Sequence, residues 1–169
     1  MAATYEPIAT NTLGSATSSV TFSSIASTYT DLILVLSVAC NTNDQSITFR
    51  LNSDTATNYS TTNLLGNGSA ASSRRTTSQT SGYVARDTSP TMTVGEFNAI
   101  CQIQNYANTT TYKTVLCRVN GAVSQTYTGT EASVSLWRKT PETITSITLS
   151  VGGTFSIGST FTLYGIKAA

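Results

Sequence analysis

The sequence predicts an all-β fold, a two-sheet antiparallel β-sandwich of jelly-roll type. Three observations predict it. Apolar residues recur every second position in short runs along the whole chain, and no apolar period of 3.6 lasts for three turns. Ser and Thr number 56 of 169 residues, 33 of them Thr, whose β-branched side chain suits a pleated surface. Eight or nine short strands fit one chain of this length as a sandwich, and a jelly roll hides its edges better than an open sheet does. The reading is of a single domain over 1–169, and a hydrophobic share of 39% argues against disorder.

The elements follow in order. Ser19–Phe22 alternates and predicts a short strand. Asp31–Val38 is a continuous apolar run, the pattern of a strand covered on both faces. Over 46–51, Ile47, Phe49 and Leu51 fall on one side and Thr48 and Arg50 on the other. Residues 53–82 then change character. Asn52-Ser53-Asp54 is turn chemistry, and the Ser/Thr-rich stretch through Gly66-Asn67-Gly68-Ser69 and Arg74-Arg75 predicts a long polar loop. Tyr83 and Val84 open the next strand. Phe97, Ala99, Cys101 and Ile103 alternate with polar residues, and Ile100 on the polar side again suggests cover on both faces. Tyr106–Thr109 reads as a turn. Val115, Cys117 and Val119 alternate with Thr114, Leu116 and Arg118, and Asn120-Gly121 is the strongest hairpin dipeptide in the chain. Ala132–Arg138 predicts a strand, as does the alternation of Ile147, Leu149 and Val151. Gly152-Gly153 predicts a turn. Phe161 and Leu163 belong to the closing strand, with Gly165 as a candidate bulge.

Composition removes several function classes. Nine basic and eight acidic residues give a net charge of +1, with charged residues at only 10%. No basic excess exists to release counterions from nucleic acid, and no polybasic patch exists for a membrane. His is absent, so a Ser-His-Asp triad is impossible and the commonest metal ligand is missing. The carboxylates are Glu6, Asp31, Asp44, Asp54, Asp87, Glu96, Glu131 and Glu142. None sits in a catalytic motif, and most fall at predicted strand ends. Asp44 and Asp54 are the pair to consider for a hard cation, without a supporting acidic cluster. The expectation is therefore no enzyme, with no catalytic, cofactor-binding or metal residues and no cofactor. Arg74-Arg75 reads as solvated, the alternative being a grip on a carboxylate or phosphate. Trp137, between Leu136 and Arg138, reads as core or subunit-interface packing, the alternative being a sugar platform.

Cys40, Cys101 and Cys117 lack metal-ligand spacing. They read as three small buried apolar residues, with one bridge and a leftover thiol as the alternative. The N-terminus has neither a basic nor an apolar signal region, and the longest apolar run, Leu32–Leu36, cannot cross a bilayer. Synthesis in a cytoplasm without a signal peptide is expected.

Several segments carry a family likeness. They are Ile8-Ala9-Thr10 with Thr12–Ser15, Val20–Ile25 and Ser27–Leu32; Phe49–Asp54 with Asn58-Tyr59-Ser60; Ile144–Leu149; and Gly158–Ile166. Together they resemble small jelly-roll virion structural proteins of tailed bacteriophages, common among phages of aquatic bacteria such as cyanophages. The likeness spans nearly the whole chain and is weakest over 66–130. The family places Pro where Ala26 stands here, which loosens one turn. The resemblance implies a head-decoration (cement) or tail-fibre type protein located in the virion. It also implies a homo-oligomer, a trimer, touching other virion proteins such as the major capsid protein or tail proteins. The shared residues look structural, so no catalytic residue is carried over. A chemically inert, charge-poor chain without a fibre-shaft repeat favours capsid decoration on the head. The alternative is a tail-fibre or baseplate appendage that binds host surface glycan.

Overall fold

The computed structural model describes residues 4–42, 45–88, 97–124 and 127–167. Twelve strands and no helix are present among them: β1 (Tyr5–Thr12), β2 (Thr17–Phe22), β3 (Asp31–Val38), β4 (Ile47–Leu51), β5 (Tyr59–Gly66), β6 (Ala71–Gln79), β7 (Gly82–Ala85), β8 (Phe97–Gln104), β9 (Lys113–Ser124), β10 (Tyr127–Trp137), β11 (Ile147–Phe155) and β12 (Thr160–Ile166). They form an eight-stranded sheet, in the order β1-β12-β3-β8-β9-β10-β5-β6, and a four-stranded sheet, β2-β11-β4-β7.

Eight of these strands make a jelly roll. Four antiparallel pairs, β1 with β12, β2 with β11, β3 with β8 and β4 with β7, form a ribbon. The ribbon wraps so that β12 meets β3 in one sheet and β11 meets β4 in the other. Two inserted hairpins, β5–β6 and β9–β10, extend the first sheet beyond β8. The second sheet keeps four strands, so among the described residues the large sheet has a second sheet over one face only.

The core lies between the sheets and follows the period of two. Leu32, Leu34, Leu36, Phe161 and Leu163 point inward from β3 and β12, and Ile47, Phe49, Leu51, Ile147 and Leu149 answer from β4 and β11; all are buried. Their neighbours Ser146, Thr148, Thr160 and Thr162 are half-buried, so the register read from the sequence holds for both closing strands. Phe155 meets Phe161 edge-on at 5.0 Å between ring centres.

Several elements differ from the sequence reading. The polar loop expected over 53–82 is largely strand. β5 and β6 form a hairpin around Asn67, whose side-chain oxygen accepts from the Ser69 and Ala70 amides. The segment lacks apolar alternation because β6 is exposed along nearly its full length, while the inward residues of β5, Thr61 and Asn63, meet polar partners. The exposed edge strand β1 also carried no signal. Asn120-Gly121 is not a turn but lies inside β9, opposite Thr130 and Gly129; the connection to β10 passes through 125–126, outside the described residues. Gly152-Gly153 continues β11, where the ladder to β2 shifts register between Ser150 and Phe155. Gly165 is not a bulge. It pairs regularly with Leu32, and a Cβ there would stand 2.3 Å from the Tyr29 ring, which packs directly on its backbone.

Strand register also corrects the cysteines. Cys101 and Cys117 stand directly opposite on β8 and β9 and form a disulfide, with Cα atoms 4.1 Å apart. Cys40 is free and fully buried, and burial pushes its thiol up to about 12. Ellman's reagent is therefore expected to find no thiol in native protein, one per chain after denaturation, and all three only after reduction. Three reactive thiols in unreduced, denatured protein would show the bridge to be absent.

Candidate functional surface

The residues that could carry chemistry are dispersed and engaged. Glu6 pairs with Lys167 at 2.9 Å, and Asp31 accepts from the Asn105 amide at 2.7 Å. Arg74 holds Asp87 at 3.2 Å, so one member of the Arg74-Arg75 pair grips a carboxylate of its own chain, whereas Arg75 is exposed. No group of three metal-ligating side chains is present among the described residues. Asp44 and Glu96 lie outside them, and with Asp44 the proposed cation pair.

Trp137 is core. It is 2% exposed, stacks on Tyr59 at 6.3 Å, and donates its indole N–H to Asp54 at 2.7 Å. Asp54 also accepts from Asn58 and from the Ala56 amide. Nearby, Glu142 accepts from Asn52 at 2.8 Å and Lys139 at 2.9 Å. Partial burial opposes ionisation of Asp54, but its three hydrogen bonds and Lys139 outweigh it, and the carboxyl is held below its ordinary range. The Asn52 and Lys139 bonds lower Glu142 likewise. Both groups bind protons more weakly folded than unfolded. Their stabilisation is present above the unfolded carboxyl range and is lost as pH falls through the depressed folded values. Urea melts between about pH 5 and about pH 2 should show a loss that shrinks in an Asp54→Asn, Glu142→Gln double variant. An equal loss in both proteins would contradict this assignment.

Glu131 is the residue the sequence reading missed. It lies mid-strand in β10, 2% exposed, rather than at a strand end. Its carboxylate accepts from three successive amides, Arg86, Asp87 and Thr88, at 2.8–3.2 Å, and from Asn63 Nδ2 at 2.8 Å. Two serines of the same strand extend this polar layer. Ser133 Oγ is within hydrogen-bonding distance of the Tyr83 and Val84 carbonyls, and Ser135 Oγ accepts from the Tyr83 amide. The short strand β7 thus docks its backbone on polar side chains of the large sheet. This layer locks the fold.

What remains open is the outer face of the large sheet. Strand registers place Ile33, Gln102, Leu116, Val134 and Thr62 in one row across it. Val35, Ile100, Arg118, Ala132 and Leu64 form the next row. Leu64 is 60% exposed, Val134 47%, Ile100 41% and Leu116 37%. The expectation that the Ile100 strand is covered on both faces is thereby corrected, whereas on Asp31–Val38 the outward Ile33 is itself buried and Val35 half-buried. The apolar intrusions at Ile100 and Leu116 were visible in the sequence, but they mark an uncovered face. Two concavities lie on it. One, of about 540 Å³, lies against Leu64, Gly66 and Ala132; the other, of about 400 Å³, surrounds Arg118 between Val35, Ile100, Asn120 and Thr162. Thr130 borders both.

Fold and surface together define a jelly-roll β-sandwich with a locked polar layer inside and an open sheet face outside that mixes exposed aliphatic side chains with uncharged polar ones and carries Arg118 and Arg75. No family model matches the chain, and no curated protein and no solved structure matches it.

Proposed function

We propose that the chain is a non-enzymatic structural protein of a tailed-bacteriophage virion, a capsid decoration (cement) protein on the head surface. The observation that carries this reading is the uncovered outer face of the large sheet, where four large aliphatic side chains are 37–60% exposed. Contiguous exposed apolar surface of this kind marks a site of assembly. The described carboxylates, meanwhile, are engaged in structural hydrogen bonds and ion pairs. The sequence likeness to small phage virion proteins supplies the identity of the assembly. In this reading the chain forms a trimer and touches the major capsid protein.

Immunogold labelling of the phage that encodes the chain tests the location. Gold over the heads is the expected result. Gold confined to tails would favour the fibre or baseplate reading, and unlabelled particles would overturn the virion assignment. Sedimentation equilibrium tests the trimer against the 17.8 kDa chain mass.

A further inference from the structure

We infer that the outer face of the large sheet is a docking site for an apolar protein surface that presents a carboxylate to Arg118. The inference concerns the face itself and holds whether or not the partner belongs to a virion.

Arg118 stands at the centre of this face, between Ile100 on β8 and Ala132 on β10, with Leu116 two residues along its own strand. It is exposed, beside the smaller concavity, and its guanidinium makes no hydrogen bond or ion pair among the described residues. The second cation of the face is Arg75, opposite Thr62 at the margin. The carboxylate on this face among the described residues is Asp31, at the end of β3. It is engaged with Asn105 and lies four residues, roughly 13 Å, along the strand direction from the Arg118 row. Among the described residues the face is therefore positive at its centre without an internal counter-charge.

Arg118 has aliphatic neighbours on one side, Ile100, Leu116 and Ala132, and the polar Asn120 and Thr130 on the other, and an arginine beside aliphatic side chains has the composition of an interface hot spot. A partner seated on the aliphatic side displaces water there and so strengthens a charge-assisted, bidentate bond to a carboxylate. A sugar is disfavoured because no aromatic ring among the described residues stands beside Arg118. Tyr164, on the same face, is separated from Leu116 by two strands. A second copy bound face to face is disfavoured because it would set arginines against arginines with no free carboxylate among the described residues to answer them.

Methyl and arginine NMR on the full chain tests this with defined probes. The peptide Ac-Val-Glu-Leu-NH2, titrated into the millimolar range, is expected to shift the methyls of Ile100, Leu116 and Val134 and the Arg118 side-chain signal. The same peptide with Gln for Glu, or the Arg118→Gln variant with the Glu peptide, should bind roughly tenfold more weakly or worse. Arg118 is exposed, so a thermal melt should leave the variant's fold unchanged. Equal shifts by the Glu and Gln peptides, shifts elsewhere, or no shifts at all would overturn the proposal. So would glucuronate shifting these signals while the peptide is silent. In parallel, Arg118→Gln and Leu116→Ser are expected to leave the sedimentation mass unchanged. A fall in mass would make the face a subunit interface and overturn the proposal as well.

Discussion

Replacing Phe161 with alanine is expected to lower the unfolding free energy by about 3–5 kcal/mol, the cost of emptying an aromatic site in a core. Phe161 is fully buried, lies between Asn11 and Leu36 in the ladder, and packs edge-on against Phe155 from the opposite sheet. Both strands and both sheets therefore lose contacts together. Thr162, one residue on, faces outward and shares a hydroxyl hydrogen bond of 3.2 Å with Thr10. Thr162→Ala is expected to cost well under about 1 kcal/mol, because water replaces that bond. Denaturant melts of the two variants measure the register directly, since a one-residue slip exchanges the faces. A larger loss in Thr162→Ala would invert the strand. An unchanged melt for Phe161→Ala, with weakened sedimentation, would move Phe161 to a subunit contact.

Glu131→Ala is expected to be comparably severe, about 3–5 kcal/mol, for a different reason. It removes the acceptor of four donors, the Arg86, Asp87 and Thr88 amides and Asn63 Nδ2, in a layer that water does not reach. The layer has little slack. Asn63 Oδ1, Arg86 Nη1 and Thr88 Oγ1 are already buried without hydrogen-bond partners. Glu131→Gln keeps one acceptor oxygen but turns an NH2 toward the same amides, so an intermediate loss is expected. Hydrogen exchange supplies the local readout. The Arg86–Thr88 amides should be protected in the wild type and exchange fastest in Glu131→Ala. A loss under about 1 kcal/mol, or amides unprotected in the wild type, would show that the Arg86–Thr88 segment after β7 is held by something else.

These two sites differ in how legible they were. Phe161 announced itself through strict alternation with Thr160 and Thr162, and the pattern alone fixes which face is buried. Glu131 gave no such sign. Within Glu131-Ala132-Ser133-Val134-Ser135-Leu136 the apolar residues are the outward ones and the polar residues the inward ones. A pattern rule that sends apolar side chains inward therefore assigns this stretch the wrong way round. Only the docking of the backbone of β7 and of the Arg86–Thr88 segment after it onto β10 makes Glu131, Ser133 and Ser135 the buried set. The β5–β6 hairpin was lost for a related reason. Its stability comes from the ladder to β10 and from polar contacts, neither of which leaves a hydrophobic period in Ser/Thr-rich sequence.

The sequence by itself determined the all-β class, the inward register of β4, β11 and β12, the turn at Tyr106–Thr109, and the absence of His-dependent chemistry. These are local properties, set by side-chain period and composition. The tertiary structure alone decided the rest. It chose which strands pair, and so brought Cys101 opposite Cys117. It extended one sheet to eight strands while the other stayed at four. That mismatch in width leaves the face around Arg118 uncovered, because no second layer among the described residues lies over it. Alternation along one strand says which residues share a face; only the assembled sheets say whether that face meets another layer.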